Sequence, residues 1–179
     1  MLSAQSTDRM INSITPALFR RYGTAQDFAE ADLDELEGYI KSSGLYRNKA
    51  RNIKECCRQL VEKHRGNVPP SMEDLVKLSG VGRKTANVVL LNAFGIAEGI
   101  AVDTHVKRVS NRIGLSRESN PLRIEKDLLS IVPKENIGDI NHLFIAHGRE
   151  ICTSGRPKCG LCPIAIYCSY AKDARNTIT

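Results

Sequence analysis

Apolar residues recur along this chain at steps of three and four, and almost every run ends at a glycine or a proline. That is the stripe of an amphipathic helix with a built-in stop. Met10, Ile11, Ile14, Ala17, Leu18 and Tyr22 form the first stripe, with Pro16 inside it predicting a kink or a break. Asp32 followed by Glu35 reads as a capping box, opening a helix with Leu33, Leu36, Tyr39 and Ile40 inward and Gly44 as its stop. The next helix runs from Arg47 to His64 with Ala50, Ile53, Cys57, Leu60 and Val61 on one face, ending at Gly66. Ser71 caps a short helix through Leu78, Arg83 to Phe94 is closed by Gly95, and Asp103 caps a helix to Ile113 that ends at Gly114. Asn120-Pro121 has the cap and first-turn chemistry of another helix, and Asp139 to Gly148 supplies the last. No alternating strand pattern, repeat or low-complexity stretch intervenes, so the predicted fold class is all-α.

Two kinds of residue then narrow the possibilities. Cys56 and Cys57 are adjacent within a helical run, whereas Cys152, Cys159, Cys162 and Cys168 crowd into 17 residues with x6, x2 and x5 spacings. In a reducing compartment such a cluster is more often a metal site than a pair of disulfides, the least favoured of three options, and the spacing fits zinc and an iron–sulfur cluster equally well. Lysine and arginine number 26 against 20 acidic residues, a net charge of +6 that favours a polyanionic partner, nucleic acid first. No apolar run approaches the ~18 residues of a membrane span, and Gln5, Asp8 and Arg9 spoil any signal peptide. The expectation is a soluble intracellular protein with no membrane partner. Its 179 residues can bury a real core in one domain or two small lobes.

The segment Leu78-Ser79-Gly80-Val81-Gly82-Arg83-Lys84-Thr85-Ala86 lies between two helical patterns. Two glycines around one apolar residue make a tight hairpin whose bare backbone can approach a ligand, and the following helix offers its free N–H groups to an anion such as a DNA phosphate. Lys84 stands in that first turn beside Arg83, a placement that disfavours the ammonium form; a lysine attacks a carbon only when neutral. Asp103 follows the apolar run Ile100-Ala101-Val102, and its plain reading is an N-cap.

Taken together, Leu2-Ser3-Ala4-Gln5, Gly44-Leu45-Tyr46, the hairpin, Val102-Asp103-Thr104-His105-Val106 and the four-cysteine tail resemble the endonuclease III family of DNA glycosylases in content and order. The resemblance runs from residue 2 to residue 168. It implies a helix-hairpin-helix glycosylase fold, with residues 1–114 as a helical lobe bearing the hairpin (about 71–95) and 115–179 as a second lobe bearing the cluster loop (152–168). It makes Lys84 the Schiff-base nucleophile and Asp103 the carboxylate that stabilises positive charge on the sugar and assists proton transfer. It assigns Cys152, Cys159, Cys162 and Cys168 to a [4Fe-4S] cluster. Gly80, Gly82, Arg83, Lys107, Arg156 and Lys158 become phosphate contacts. Gln5 and Leu45 fall where the family fills the gap left by a flipped base and wedges the stack. His105 is read as structural.

The implied function is removal of oxidised pyrimidines from damaged double-stranded DNA, followed by cleavage of the abasic site by β-elimination. A monomer working on DNA in the cytoplasm (the prokaryotic nucleoid), or otherwise intracellular, is the expectation. Two departures accompany the likeness. Members carry about a further helix and a half before the Leu-Ser-Ala-Gln segment, so the N-terminal helices are read as missing. Ser79 stands where proline is common in this hairpin. The alternatives are an adenine-mismatch glycosylase, against which Lys84 argues, and a non-catalytic or truncated DNA-binding relative with a structural metal site.

Overall fold

The structure, a computed structural model, describes residues 1–176. Its helices are α1 (Asp8–Arg21), α2 (Ala25–Glu30), α3 (Leu33–Ile40), α4 (Tyr46–His64), α5 (Met72–Leu75), α6 (Arg83–Phe94), α7 (Thr104–Ile113), α8 (Pro121–Ile131), α9 (Ile137–Glu150) and α10 (Ser169–Asn176), with three short 3-10 turns between them. No strand occurs among the described residues. The chain forms two compact units, Met1–Ala86 and Asn87 onward.

In the first unit Leu18 of α1 and Tyr22 at its C-terminal cap, Phe28 of α2, Leu36 and Ile40 of α3, and Ala50 and Ile53 of α4 share one core. The stripes of the sequence are therefore the buried faces, at about 1.5–3 kcal/mol per fully buried side chain of this size. α1 is not broken at Pro16: the helix continues through it to Arg21. Only one backbone donor is lost there, while the buried residues on its far side, Leu18 and Tyr22, require the helix to continue.

The capping box at Asp32 is half formed. Asp32 accepts from the Glu35 amide at 2.9 Å, but the Glu35 carboxylate faces Arg21 in a two-bond pair at 2.6 and 2.9 Å. The reciprocal box lies at Thr24 and Asp27, opening α2, a helix the sequence pattern did not reveal. On α4 it is Cys56 that is buried, with Cys57 and Val61 half-buried. α5 stops at Leu75 rather than Leu78.

The core of the second unit comprises Ile100, Val102, Val106, Val109, Ile124, Leu128, Ile137, Phe144 and Cys152. α7 lies against α9 with no space between them at Gly148, where a Cβ would come within 2.9 Å of His105 Nδ1. The observed α7 and the predicted helix from Asp103 to Ile113 coincide, Asp103 being the cap and Gly114 the left-handed stop. α9 extends beyond its predicted bounds at both ends, and α10 was not foreseen.

Candidate active site and cysteine recess

The hairpin rests on α4. Gly80 adopts φ +72°, and a Cβ on it would meet the Asn52 Cβ at 2.9 Å, so conformation and space both demand glycine. Ser79 donates its amide to Gln59 Oε1 at 2.8 Å and its hydroxyl to Asn52 Oδ1 at 3.3 Å. The first of these bonds uses a donor that proline lacks, so the departure at Ser79 has a local rationale. The Val81 amide closes the turn onto the Leu78 carbonyl, and α6 starts immediately, its first ladder bond running from Ala86 to Gly82. Gly82, Arg83 and Lys84 are all exposed at that helix start.

Gln5 and Leu45 are two of the three non-glycine residues with positive φ among those described, at +52° and +49°. Left-handed backbone is costly for a residue with a Cβ and gathers where geometry serves a function. The fold also brings the two segments together: a Cβ on Gly44 would lie 4.0 Å from the Gln5 carbonyl oxygen. Leu45 is 57% exposed.

In the second unit, Asp103 is half-buried and caps α7, its Oδ1 accepting from the amides of His105 and Val106 at 2.8 Å each. Both bonds fall on Oδ1, so capping engages one oxygen of the carboxylate. The segment that delivers Asp103 is fixed by buried Glu125, whose Oε1 accepts from Asn87 Nδ2 at 2.9 Å and from the Ile100 amide at 3.3 Å. Gly99 leaves the room this pair needs, since a Cβ there would strike Asn87 and Glu125. His105 Nδ1 lies 3.1 Å from Arg108 Nη2, in a structural setting against α9. Lys107 donates from Nζ to the Ser119 carbonyl at 2.8 Å.

The four tail cysteines, though spread over 17 residues of sequence, line one recess with Arg112, His147 and Tyr170. They carry no disulfide. Burial, and then the neighbouring Cys168, Cys152 and Cys162, push the Cys159 thiol up, and Arg112 opposes them. The recess thus concentrates negative charge whenever its thiols ionise, the chemistry of a site for a cationic metal group. Among the described residues no three His, Cys, Asp or Glu side chains close around a single ion.

Two arginines that sequence reading missed hold the start of the loop. Arg108 donates to the carbonyls of Cys152 at 3.0 Å and Gly148 at 2.8 Å. Arg112 donates to Cys152 Sγ at 3.4 Å and to the carbonyls of Thr153 at 2.7 Å and Ser154 at 3.1 Å. Its guanidinium also lies 4.8 Å from the Tyr170 ring centre. No local pattern singled them out, because their partners lie about 40 residues further along the chain. Arg156 and Lys158 are exposed on the loop, whose turn is closed by Thr153 Oγ1 donating to the Arg156 carbonyl at 2.7 Å.

The family model of the HhH-GPD superfamily of base excision DNA repair proteins matches residues 1–134. The chain is 49% identical over 172 residues to the endonuclease III of Synechocystis, covering 96% of this chain and 78% of that one. With the Escherichia coli endonuclease III it shares 45% over 170 residues, 95% and 80% of the two chains. Among solved structures, an endonuclease III trapped as a covalent intermediate with DNA superposes with a TM-score of 0.90 at 47% identity, over 97% of this chain and 82% of that one. A thermostable thymine-DNA glycosylase gives 0.87 at 28%, over 96% and 81%. Helical architecture, hairpin and sequence agree on the class, a helix-hairpin-helix base excision repair protein. Within that class the chain belongs to the endonuclease III family.

Proposed function

We propose that this chain is a bifunctional DNA glycosylase and abasic-site lyase acting on oxidised pyrimidines in duplex DNA, with Lys84 as nucleophile and Asp103 as its carboxylate partner. The observation that carries the reading is the exposed lysine in the first turn of α6, directly after a hairpin whose backbone demands glycine. The neutral Lys84 amine attacks C1′ of the damaged nucleotide, and the base departs with the glycosidic electron pair, taking up the proton that the attacking nitrogen releases. Asp103 stabilises the positive charge developing on the sugar through the carboxylate oxygen that does not cap α7. The nitrogen lone pair then opens the ring at the C1′–O4′ bond, its remaining proton passing to O4′, to give an imine at C1′. Removal of a C2′ proton then expels the 3′ phosphate by β-elimination.

Gly80 and Gly82 of the hairpin and Arg83 at the start of α6 suit a phosphate of the damaged strand. Arg156, Lys158 and Lys107 supply further positive charge, and such contacts set register without reading sequence. Gln5 and Leu45 enter the space vacated by the flipped base, which their shared strained corner supports. Cys152, Cys159, Cys162 and Cys168 would hold a [4Fe-4S] cluster, which when bound supplies rigidity to the loop carrying Arg156 and Lys158.

Borohydride reduces an imine to a stable amine, so incubation with abasic duplex DNA and borohydride traps the intermediate. Wild type is expected to give a covalent protein–DNA band that Lys84→Gln lacks. No band from a folded, DNA-binding wild type would favour a non-catalytic DNA-binding relative, and a band surviving in Lys84→Gln would transfer the role to another amine.

A further inference from the structure

Among the described residues with assigned burial, Lys49 is the one buried lysine, 6% exposed. Burying an ammonium is costly unless it is engaged, and burial holds this one below its ordinary pKa. Its Nζ donates to the Ser43 carbonyl at 2.7 Å, while its own amide donates to the Leu45 carbonyl at 3.1 Å. The amide bond is the first ladder bond of α4, whereas the side chain ties that helix to the residue before Gly44 and Leu45, where φ is +68° and +49° in succession. Ser43 is itself buried, at the end of a 3-10 turn, and its carbonyl needs an internal donor. Lys49, Asn52 and Gln59 stand on one face of α4, and the latter two seat the hairpin through Ser79. The corner bearing Leu45 and the hairpin preceding Lys84 are thus held by one rigid helix.

We propose that Lys49 is a positioning residue for base flipping, locking Leu45 in its left-handed, solvent-facing conformation before DNA arrives. A wedge ordered in advance spends no binding energy on its own ordering. The inference rests on the reading of Leu45 as the wedge, and the experiment separates the two.

A duplex carrying an oxidised pyrimidine beside 2-aminopurine reports unstacking by fluorescence under single-turnover conditions. Lys49→Met keeps the bulk and removes the donor. It is expected to slow unstacking about tenfold, the scale of one lost buried hydrogen bond, while leaving affinity for undamaged duplex unchanged. Lys49→Arg, which keeps a donor, should recover most of the rate. In the Lys49→Met/Leu45→Ala pair the loss should equal that of Leu45→Ala alone, because both act through one wedge.

Wild-type unstacking by Lys49→Met overturns the proposal. So does a double variant slower than Leu45→Ala by the full Lys49→Met factor, which would make Lys49 a support of the fold alone. If Leu45→Ala itself unstacks at the wild-type rate, the wedge reading fails and the proposal with it. Should Lys49→Met not melt cooperatively, Lys49→Gln, whose amide is too short to reach Ser43, serves in the same assay.

Discussion

In the proposed mechanism Asp103 answers two demands with one carboxylate. Its Oδ1 closes the first turn of α7, and the proposed chemistry uses its negative charge. Asparagine caps as well as aspartate but carries no charge. Asp103→Asn is therefore expected to melt with the wild type while losing about 10²–10⁴ of its abasic-site cleavage rate, read by differential scanning calorimetry beside a gel assay. An equal fall in stability and rate would assign Asp103 to the cap alone. The cap was legible because it needs only a sequence neighbour; the bonds of Arg108 to Gly148 and of Glu125 to Asn87 were not, as their partners lie 40 and 38 residues away. Tertiary packing decides such pairs, and no local pattern announces them.

Among helices, those with strong stripes and glycine stops were legible almost to the residue, α6 and α7 above all. α2 escaped because its six residues bury only Phe28, too little for a periodic signal. Its start is fixed instead by Thr24 and Asp27: the Asp27 carboxylate accepts from the Thr24 amide at 2.9 Å and the Gly23 amide at 3.0 Å. The Thr24 side chain, then these backbone bonds, hold Asp27 below its ordinary pKa of 3.8. A lowered folded pKa means the contribution is present above 3.8 and disappears as pH falls through the folded value. The melting temperatures of wild type and Asp27→Asn should differ by a constant amount at neutral pH and converge on acidification below 3.8. A gap that persists into strong acid would remove the carboxylate from the account of α2.

At the scale of the molecule, a net charge of +6 makes DNA affinity depend on salt. If Arg156 neutralises one phosphate, Arg156→Ala should shallow the plot of log affinity against log salt by about 0.9, in fluorescence anisotropy titrations. An unchanged slope would put Arg156 off the DNA. Cys162 lines the recess with the other three thiols. Cys162→Ser is expected to lose the brown iron chromophore and most of the iron per chain by metal analysis; a colourless, zinc-loaded wild type would overturn the cluster assignment. The grouping of these cysteines was legible from spacing, whereas Arg112, 40 residues before Cys152, was not.

The grip of Arg108 and Arg112 on the loop also decides what could be transplanted. Loop 152–168 moved alone to another helical scaffold would leave behind the guanidinium groups that shape its first leg. The smallest portable cassette starts at Thr104, not at the first cysteine, and it needs glycine at 148 so that α9 can lie against the imported helix.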